Sequence, residues 1–275
     1  MLEFDELKLY RGKGEICISP KIMVMQPSID QIIDFGEKRY FNAVHTLTGV
    51  GADFKWQLMD YFGIDYTTIG DYELFVKLIA PAVSSKKRVY EAWKKDPEKY
   101  KKELDYLTPE MLEDMLVNPL ELVLKDIDLA DFVPCKIRDD EIVLYNVEQD
   151  ITIDRVVYMQ MVDVVRKIHG FKRNNEMPAN ETTKRNLIED ARDDHLAAQQ
   201  KPYKSVLKPL ISALTVKCGM CGDDRVFQMG INMFFDNLKR IGKIQDAEFL
   251  LQGAYSGFAS LKGVDKTRLD WAGDI

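Results

Sequence analysis

Apolar residues along this chain change their spacing repeatedly, and each change marks a predicted element. Leu7-Lys8-Leu9-Tyr10 alternates, Arg11-Gly12-Lys13-Gly14 makes a turn, and Glu15-Ile16-Cys17-Ile18 alternates again. A period of two predicts strands. Ile22-Met23-Val24-Met25 adds a third, giving a small antiparallel sheet that needs a helix to cover it. Ser28 and Gln31 then fit a capping box after Pro27, in which each side chain satisfies a backbone N–H at the helix start. Ile29, Ile32, Ile33, Tyr40, Val44 and Leu47 follow at helical spacing, predicting one helix over 28–48. Gly36 inside it costs about 1 kcal/mol relative to alanine and marks either close packing or a bend.

Two short helices are predicted next, over 54–61 before Gly63 and over 71–79 with Asp71 as its cap. Residues 84–107 are rich in interleaved Lys and Glu, which reads as a solvated helical face rather than a basic binding surface. Thr108-Pro109-Glu110 opens a helix carrying Met111, Leu112, Met115 and Leu116, with a break near Asn118-Pro119. The period returns to two over 131–153, where residues 132–137 pair with 141–145 across Arg138-Asp139-Asp140. That hairpin either joins the N-terminal sheet or marks a boundary. Residues 154–168 form an amphipathic helix ended by Gly170. Residues 172–180 read as a polar, mobile linker, 181–200 as a charged exposed helix, and 206–256 as two or three further helices. The expected fold is therefore α+β and predominantly helical. Region 1–171 holds a small antiparallel sheet packed on helices, with the hairpin near 132–145. After the linker, 181–275 is helical.

Composition narrows the function. With 275 residues, 46% of them hydrophobic, the chain can bury a core. A net charge of -7 argues against non-specific binding to nucleic acid or to an anionic membrane. No run of 18 apolar residues predicts a membrane span, and the acidic opening Met-Leu-Glu-Phe-Asp-Glu is unlike a signal peptide, so a cytoplasmic location is expected. Cys218-Gly219-Met220-Cys221 lacks a second ligand pair for zinc and follows an apolar helical run, not a strand, so it reads as a turn between helices. Cys17 and Cys135 stand alone. His45, His169 and His195 have no partner at metal-ligand or nucleophile-base spacing, and His169 beside Gly170 is placed to favour the helix dipole as a cation. Asp139-Asp140-Glu141 and Asp223-Asp224 are explained by turn and capping chemistry. No phosphate-binding glycine loop, dinucleotide signature, nucleophile elbow or nuclease-type acidic cluster is present. The residues thus call for no enzyme activity, no cofactor and no metal.

One ordered set of short phrases points further. It includes Gln26-Pro27-Ser28-Ile29, Ile33-Asp34-Phe35-Gly36-Glu37, Gly63-Ile64-Asp65-Tyr66 and Asp71-Tyr72-Glu73-Leu74-Phe75. It continues through Tyr158-Met159-Gln160-Met161-Val162-Asp163, Gly170-Phe171-Lys172-Arg173-Asn174 and Asp236-Asn237-Leu238-Lys239-Arg240-Ile241. Gly253-Ala254-Tyr255-Ser256-Gly257 and Leu269-Asp270-Trp271 complete it. This set resembles the tail assembly chaperone-like proteins encoded upstream of the tape-measure gene in siphophages and prophages of Gram-positive bacteria. The resemblance implies a non-catalytic protein of the host bacterial cytoplasm. Such a protein binds the tape-measure protein, covers its apolar helical stripes and assists recruitment of tail-tube protein. It also leaves open whether the chain enters the mature virion. Two other readings compete: a structural virion component such as a tail-completion or connector subunit, and an enzyme or nucleic-acid-binding protein with an undescribed site. The terminal Leu269, Trp271 and Ile275 are the expected partner contacts, against the alternative that Trp271 packs on its own domain.

Overall fold

A computed structural model describes residues 5–12, 15–96, 115, 117–137, 141–219, 224–258 and 260–273. The helix start predicted at Thr108-Pro109, with Met111, Leu112 and Leu116, lies outside these residues, as do Cys221 and Ile275. The structure is 59% helical, with a two-stranded and a three-stranded antiparallel sheet and a helical C-terminal half. It is the α+β, mostly helical fold that the hydrophobic spacing predicts.

The chain opens with α1 (Glu6–Arg11) and the hairpin β1 (Ile16–Ser19) and β2 (Ile22–Val24). Next come α2 (Ile29–Phe35), α3 (Glu37–Thr48) and α4 (Lys55–Phe62). Then α5 (Asp71–Leu74) runs through a π-helical stretch, Phe75–Ile79, into α6 (Ala80–Lys95). The second sheet is β3 (Val133–Lys136), β4 (Ile142–Asn146) and β5 (Ile151–Ile153). The remaining long helices are α7 (Arg155–His169), α8 (Glu181–Gln199), α9 (Leu207–Lys217) and α10 (Ile231–Tyr255).

Three local readings are corrected. Leu7–Tyr10 is helix, not strand: Asp5 caps the Lys8 N–H and Gly12 closes α1 in the left-handed region. Two alternating leucines in six residues fit either period, and the cap decides. The sheet is therefore the hairpin β1-β2 alone, and the free edge of β2 is met by residues 123–125. Met25 N–H donates to Val123 O at 2.8 Å and Lys125 N–H to Met23 O at 3.0 Å. Helix 28–48 is two helices, because Gly36 adopts φ 99° and ψ 106° between α2 and α3, a conformation that excludes a continuous helix and that other residues rarely adopt. The predicted capping box at Ser28 and Gln31 is present. Gly70, rather than Asp71, is the cap of α5. The second sheet pairs in the order β3-β4-β5, in a sheet separate from β1-β2.

At the centre lies α7. Its residues Tyr158, Met161, Val164, Val165 and Ile168 are fully buried, and it touches β1, β2, α3, α5, β5 and α10. Asp154 caps its start and Gly170 its end, as the sequence predicts. Phe75 of the π-helical stretch stacks on Tyr158 with ring centroids 4.4 Å apart. The polar groups that α7 takes into the core all have partners, as buried polar groups must. Arg166 donates to Thr48 O at the end of α3. His169 Nδ1 lies 2.6 Å from Val165 O and its Nε2 2.6 Å from the Tyr40 hydroxyl. A carbonyl only accepts, so Nδ1 carries the proton and the tyrosine donates to Nε2. This reverses the expectation of a cationic His169. Burial pushes the imidazole down to about 4, and the bond to Val165 only partly opposes it. Burial raises the Tyr40 hydroxyl, which keeps it a donor.

The segment 172–180 and the helices after it are fastened to the N-terminal region by backbone and charge. Ile29 N–H donates to Met229 O, Asp30 N–H to Phe227 O and Ile231 N–H to Pro27 O, at 2.9–3.0 Å. Here the chains approach so closely that a Cβ on Gly230 would lie 3.0 Å from the Gly12 Cα. Arg173 holds both oxygens of Asp71 at 2.9 and 3.0 Å, Asn174 donates to Asp53, and Lys55 pairs with Glu176. Helix α8 lies on α4 through Arg192, which grips Asp60 at 2.7 and 2.8 Å, and through the rings of Trp56 and His195, 4.7 Å apart. Lys184 reaches Asp65 at 2.8 Å and holds its carboxyl below the usual range.

Two outcomes are expected from this arrangement. The folded pKa of His169 lies below the unfolded value, so its contribution is complete above about pH 6.5 and is lost as pH falls toward 4. Chemical denaturation at pH 6.5 and 4.5 should show about 2 kcal/mol of acid destabilisation from this residue, and His169→Gln should remove that increment from the pH profile. Gly36→Ala should cost about 1–2 kcal/mol because it forces a Cβ into a positive-φ position, read as a lower denaturation midpoint.

Candidate functional site

The two halves of α10 differ in what covers them. The first half buries Ile231 and Phe234 completely and packs Phe235, Leu238 and Ile241 against the core. The second half buries only Ala247 among its described side chains. Phe249 is 68% exposed, Tyr255 87%, and Phe258 just beyond the helix 94%. Three large aromatic groups left in water on one helix end are unusual, because exposed apolar area is unfavourable unless something covers it.

The C-terminal tail runs back along the same helix. Asp265 caps a short 3-10 turn, Lys266–Arg268, that lies against α10. Arg268 donates to both oxygens of Asp246 at 2.6 and 2.9 Å, which lowers the Asp246 carboxyl and raises the guanidinium. One turn and a half earlier on α10, Arg240 Nη1 donates to Trp271 O at 2.6 Å and Gly273 O at 2.7 Å. The tail backbone is thereby fixed while the Trp271 side chain stays 56% exposed.

Of the residues the sequence singles out, Leu269 is half-buried within the tail, Trp271 is exposed, and Ile275 lies outside the described residues. The structure adds Phe249, Tyr255 and Phe258, which the sequence reading missed. Apolar positions at helical spacing look the same whether a neighbour covers them or not. The available signal was their distribution: Ile244, Phe249, Leu250, Leu251 and Tyr255 fall on more sides of the helix than one packing partner can cover.

Elsewhere the described residues offer little reactive chemistry. No group of three His, Cys, Asp or Glu among them is placed to hold a metal ion. His45 lies against Phe54, with ring centroids 5.7 Å apart, and His195 against Trp56. Cys17, Cys135 and Cys218 are free thiols; Cys218 is the C-cap of α9, and the rest of the Cys218–Cys221 turn, from residue 220, lies outside the described residues. No helix among the described residues is long and apolar enough to cross a membrane. Comparison with protein-family models, curated proteins and solved structures finds no match for the chain.

What the arrangement can do is bind. A fixed helix end with exposed aromatic groups supplies large contact area at small entropic cost, the composition found at interface hot spots. The tail's attachment can be tested by itself. Arg240→Ala combined with Arg268→Ala should speed proteolytic cleavage within 262–273 several-fold. Global denaturation should shift by no more than about 0.5 kcal/mol per site, because both side chains act at the surface.

Proposed function

We propose that this protein is a phage tail assembly factor, a non-catalytic chaperone. It binds the tape-measure protein in the host bacterial cytoplasm and assists assembly of the tail tube around it. The resemblance of the ordered phrases along the chain supplies the partner. The observation that carries the reading structurally is the set of uncovered aromatic residues on the distal half of α10 and beside it: Phe249, Tyr255, Phe258 and Trp271. A long helical partner carries apolar stripes that aggregate until they are covered. An exposed apolar helix end can pair with such a stripe in the way amphipathic helices pair with one another. The proximal half of α10 is locked into the core, so the binding surface is presented on a rigid base and little ordering entropy is lost on association. An acidic surface, net -7 for the chain, keeps such a surface in solution.

The test is co-expression of the full chain with the tape-measure and tail-tube proteins of its own genome, followed by affinity capture and mass spectrometry of purified virions. Capture of the tape-measure protein by the chain, with the chain absent from virions, is the expected result. Replacing Phe249, Tyr255 and Phe258 with serine should reduce capture at least tenfold, and deletion of 262–275 should weaken it further, while both variants keep a cooperative melt. A fixed copy number in the virion would instead place the protein among the structural subunits. Undiminished capture by the serine variant would move the binding site elsewhere on the molecule.

A further inference from the structure

Helix α8 has 19 residues and buries only Ile188, whereas α7 has 15 and buries eight of them. The residues that α8 turns from solvent include Lys184, Leu187, Ile188, Ala191, Arg192 and His195, at three- and four-residue spacing. Half of these six are polar, and all three have partners on or just after α4. Lys184 reaches Asp65 at 2.8 Å, Arg192 donates to both oxygens of Asp60 at 2.7 and 2.8 Å, and the His195 ring lies 4.7 Å from that of Trp56. A helix that buries so little apolar area opens at a lower free energy than the core beneath it.

The chain is pinned on both sides of α8, at points set back from its ends. Before it, Asn174 donates to Asp53 at 2.8 Å and Glu176 pairs with Lys55. After it, Glu37 accepts from the Val206 and Leu207 N–H groups at 2.6 and 2.7 Å, and Lys38 stands over the Tyr203 ring at 5.8 Å. Between pins and helix lie the non-helical and mostly exposed segments 177–180 and 200–202, each with a proline, Pro178 and Pro202. Three or four extended residues span about 10 Å, enough to lift a helix off its neighbour while both pins hold. Beneath α8, Trp56 meets the Tyr61 ring at 5.5 Å, and Tyr61 and Phe62 are exposed. With α8 closed, His195 lies on Trp56. With α8 lifted, Trp56 joins the aromatic groups of α4 that already face water.

We propose that α8 is a hinged flap: it opens as one unit about 177–180 and 200–202 and gates the aromatic face of α4 around Trp56. The pairs to Asp60 and Asp65 set its closed population. Ion pairs near the surface are screened by salt, whereas apolar core contacts are not, so salt favours the open flap. This device does not depend on the tail-assembly reading.

The experiment is residue-resolved native-state hydrogen exchange of the full chain, with acrylamide quenching of Trp56 in a background of Trp93→Phe and Trp271→Phe. The amides of 185–199 are expected to share one opening constant, at least about a hundredfold larger than that of the α7 amides. It should rise at least twofold between about 0.05 and about 0.5 M salt. Asp60→Arg should raise it at least fivefold, and quenching of Trp56 with it, while α7 exchange stays unchanged. Adding Arg192→Asp restores the pair with its charges exchanged and should return both readings toward their starting values. Exchange of α8 only together with α7 would overturn the proposal, as would fraying from its ends with no shared constant. So would insensitivity of both readings to Asp60→Arg, or equal loosening of α7 by that substitution.

Discussion

The elements of the N-terminal half are arranged around the buried face of α7, which carries Tyr158, Met161, Val162, Val164, Val165 and Ile168. That face takes Arg166 and His169 into the core with it, and each polar group taken from water without a partner costs several kcal/mol. Here the partners come from the element that crosses it: Thr48 O for Arg166 and the Tyr40 hydroxyl for His169. Both lie on α3, so α3 has to run where it does. The break at Gly36 is what lets the chain capped at Ser28 turn into that path. The small hairpin, α5 and β5 pack against the rest of the buried face, and Phe75 of the π-helical stretch stacks on Tyr158.

The C-terminal half adds to this core without extending it much. Helix α8 buries only Ile188, so its position depends on the bidentate Arg192–Asp60 pair, on Lys184–Asp65 and on the Trp56–His195 ring contact rather than on a large apolar interface. Exposed pairs of this kind contribute little individually. They gain meaning here as a set, because Arg173, Lys184 and Arg192 meet Asp71, Asp65 and Asp60 in reverse order along the chain, so the two segments run antiparallel. Helix α10 bridges the two regimes. Its first half is core, and its second half leaves the core and carries the aromatic groups with the tail strapped beside them. A rigid base with an uncovered end is what a partner-binding function requires.

The charge distribution separates two surfaces with different physics. The distal end of α10 is apolar and open, suited to a large partner that buries area. The cavity between α3 and α6 is partly open and lined by charged and apolar side chains of both helices. Nothing in the spacing of Lys38, Arg39, Lys86 and Lys87 along the chain links them. They are brought together because α3 meets the π-helical stretch that leads into α6.

The sequence by itself determined the elements whose signals are local. The capping box at Ser28, the glycine end at Gly63, the Asp154–Gly170 limits of α7 and the strands around 132–145 all depend on a few neighbouring residues, and all were legible. Tertiary structure decided whatever depends on residues far apart. It made Leu7–Tyr10 a helix, gave the edge of β2 to residues 123–125, turned His169 from a helix-end cation into a buried neutral base, and left Phe249, Tyr255 and Phe258 uncovered. The physical reason is the same in each case. Backbone conformation responds to the next few residues, whereas burial, protonation and exposure are set by what the rest of the chain brings alongside.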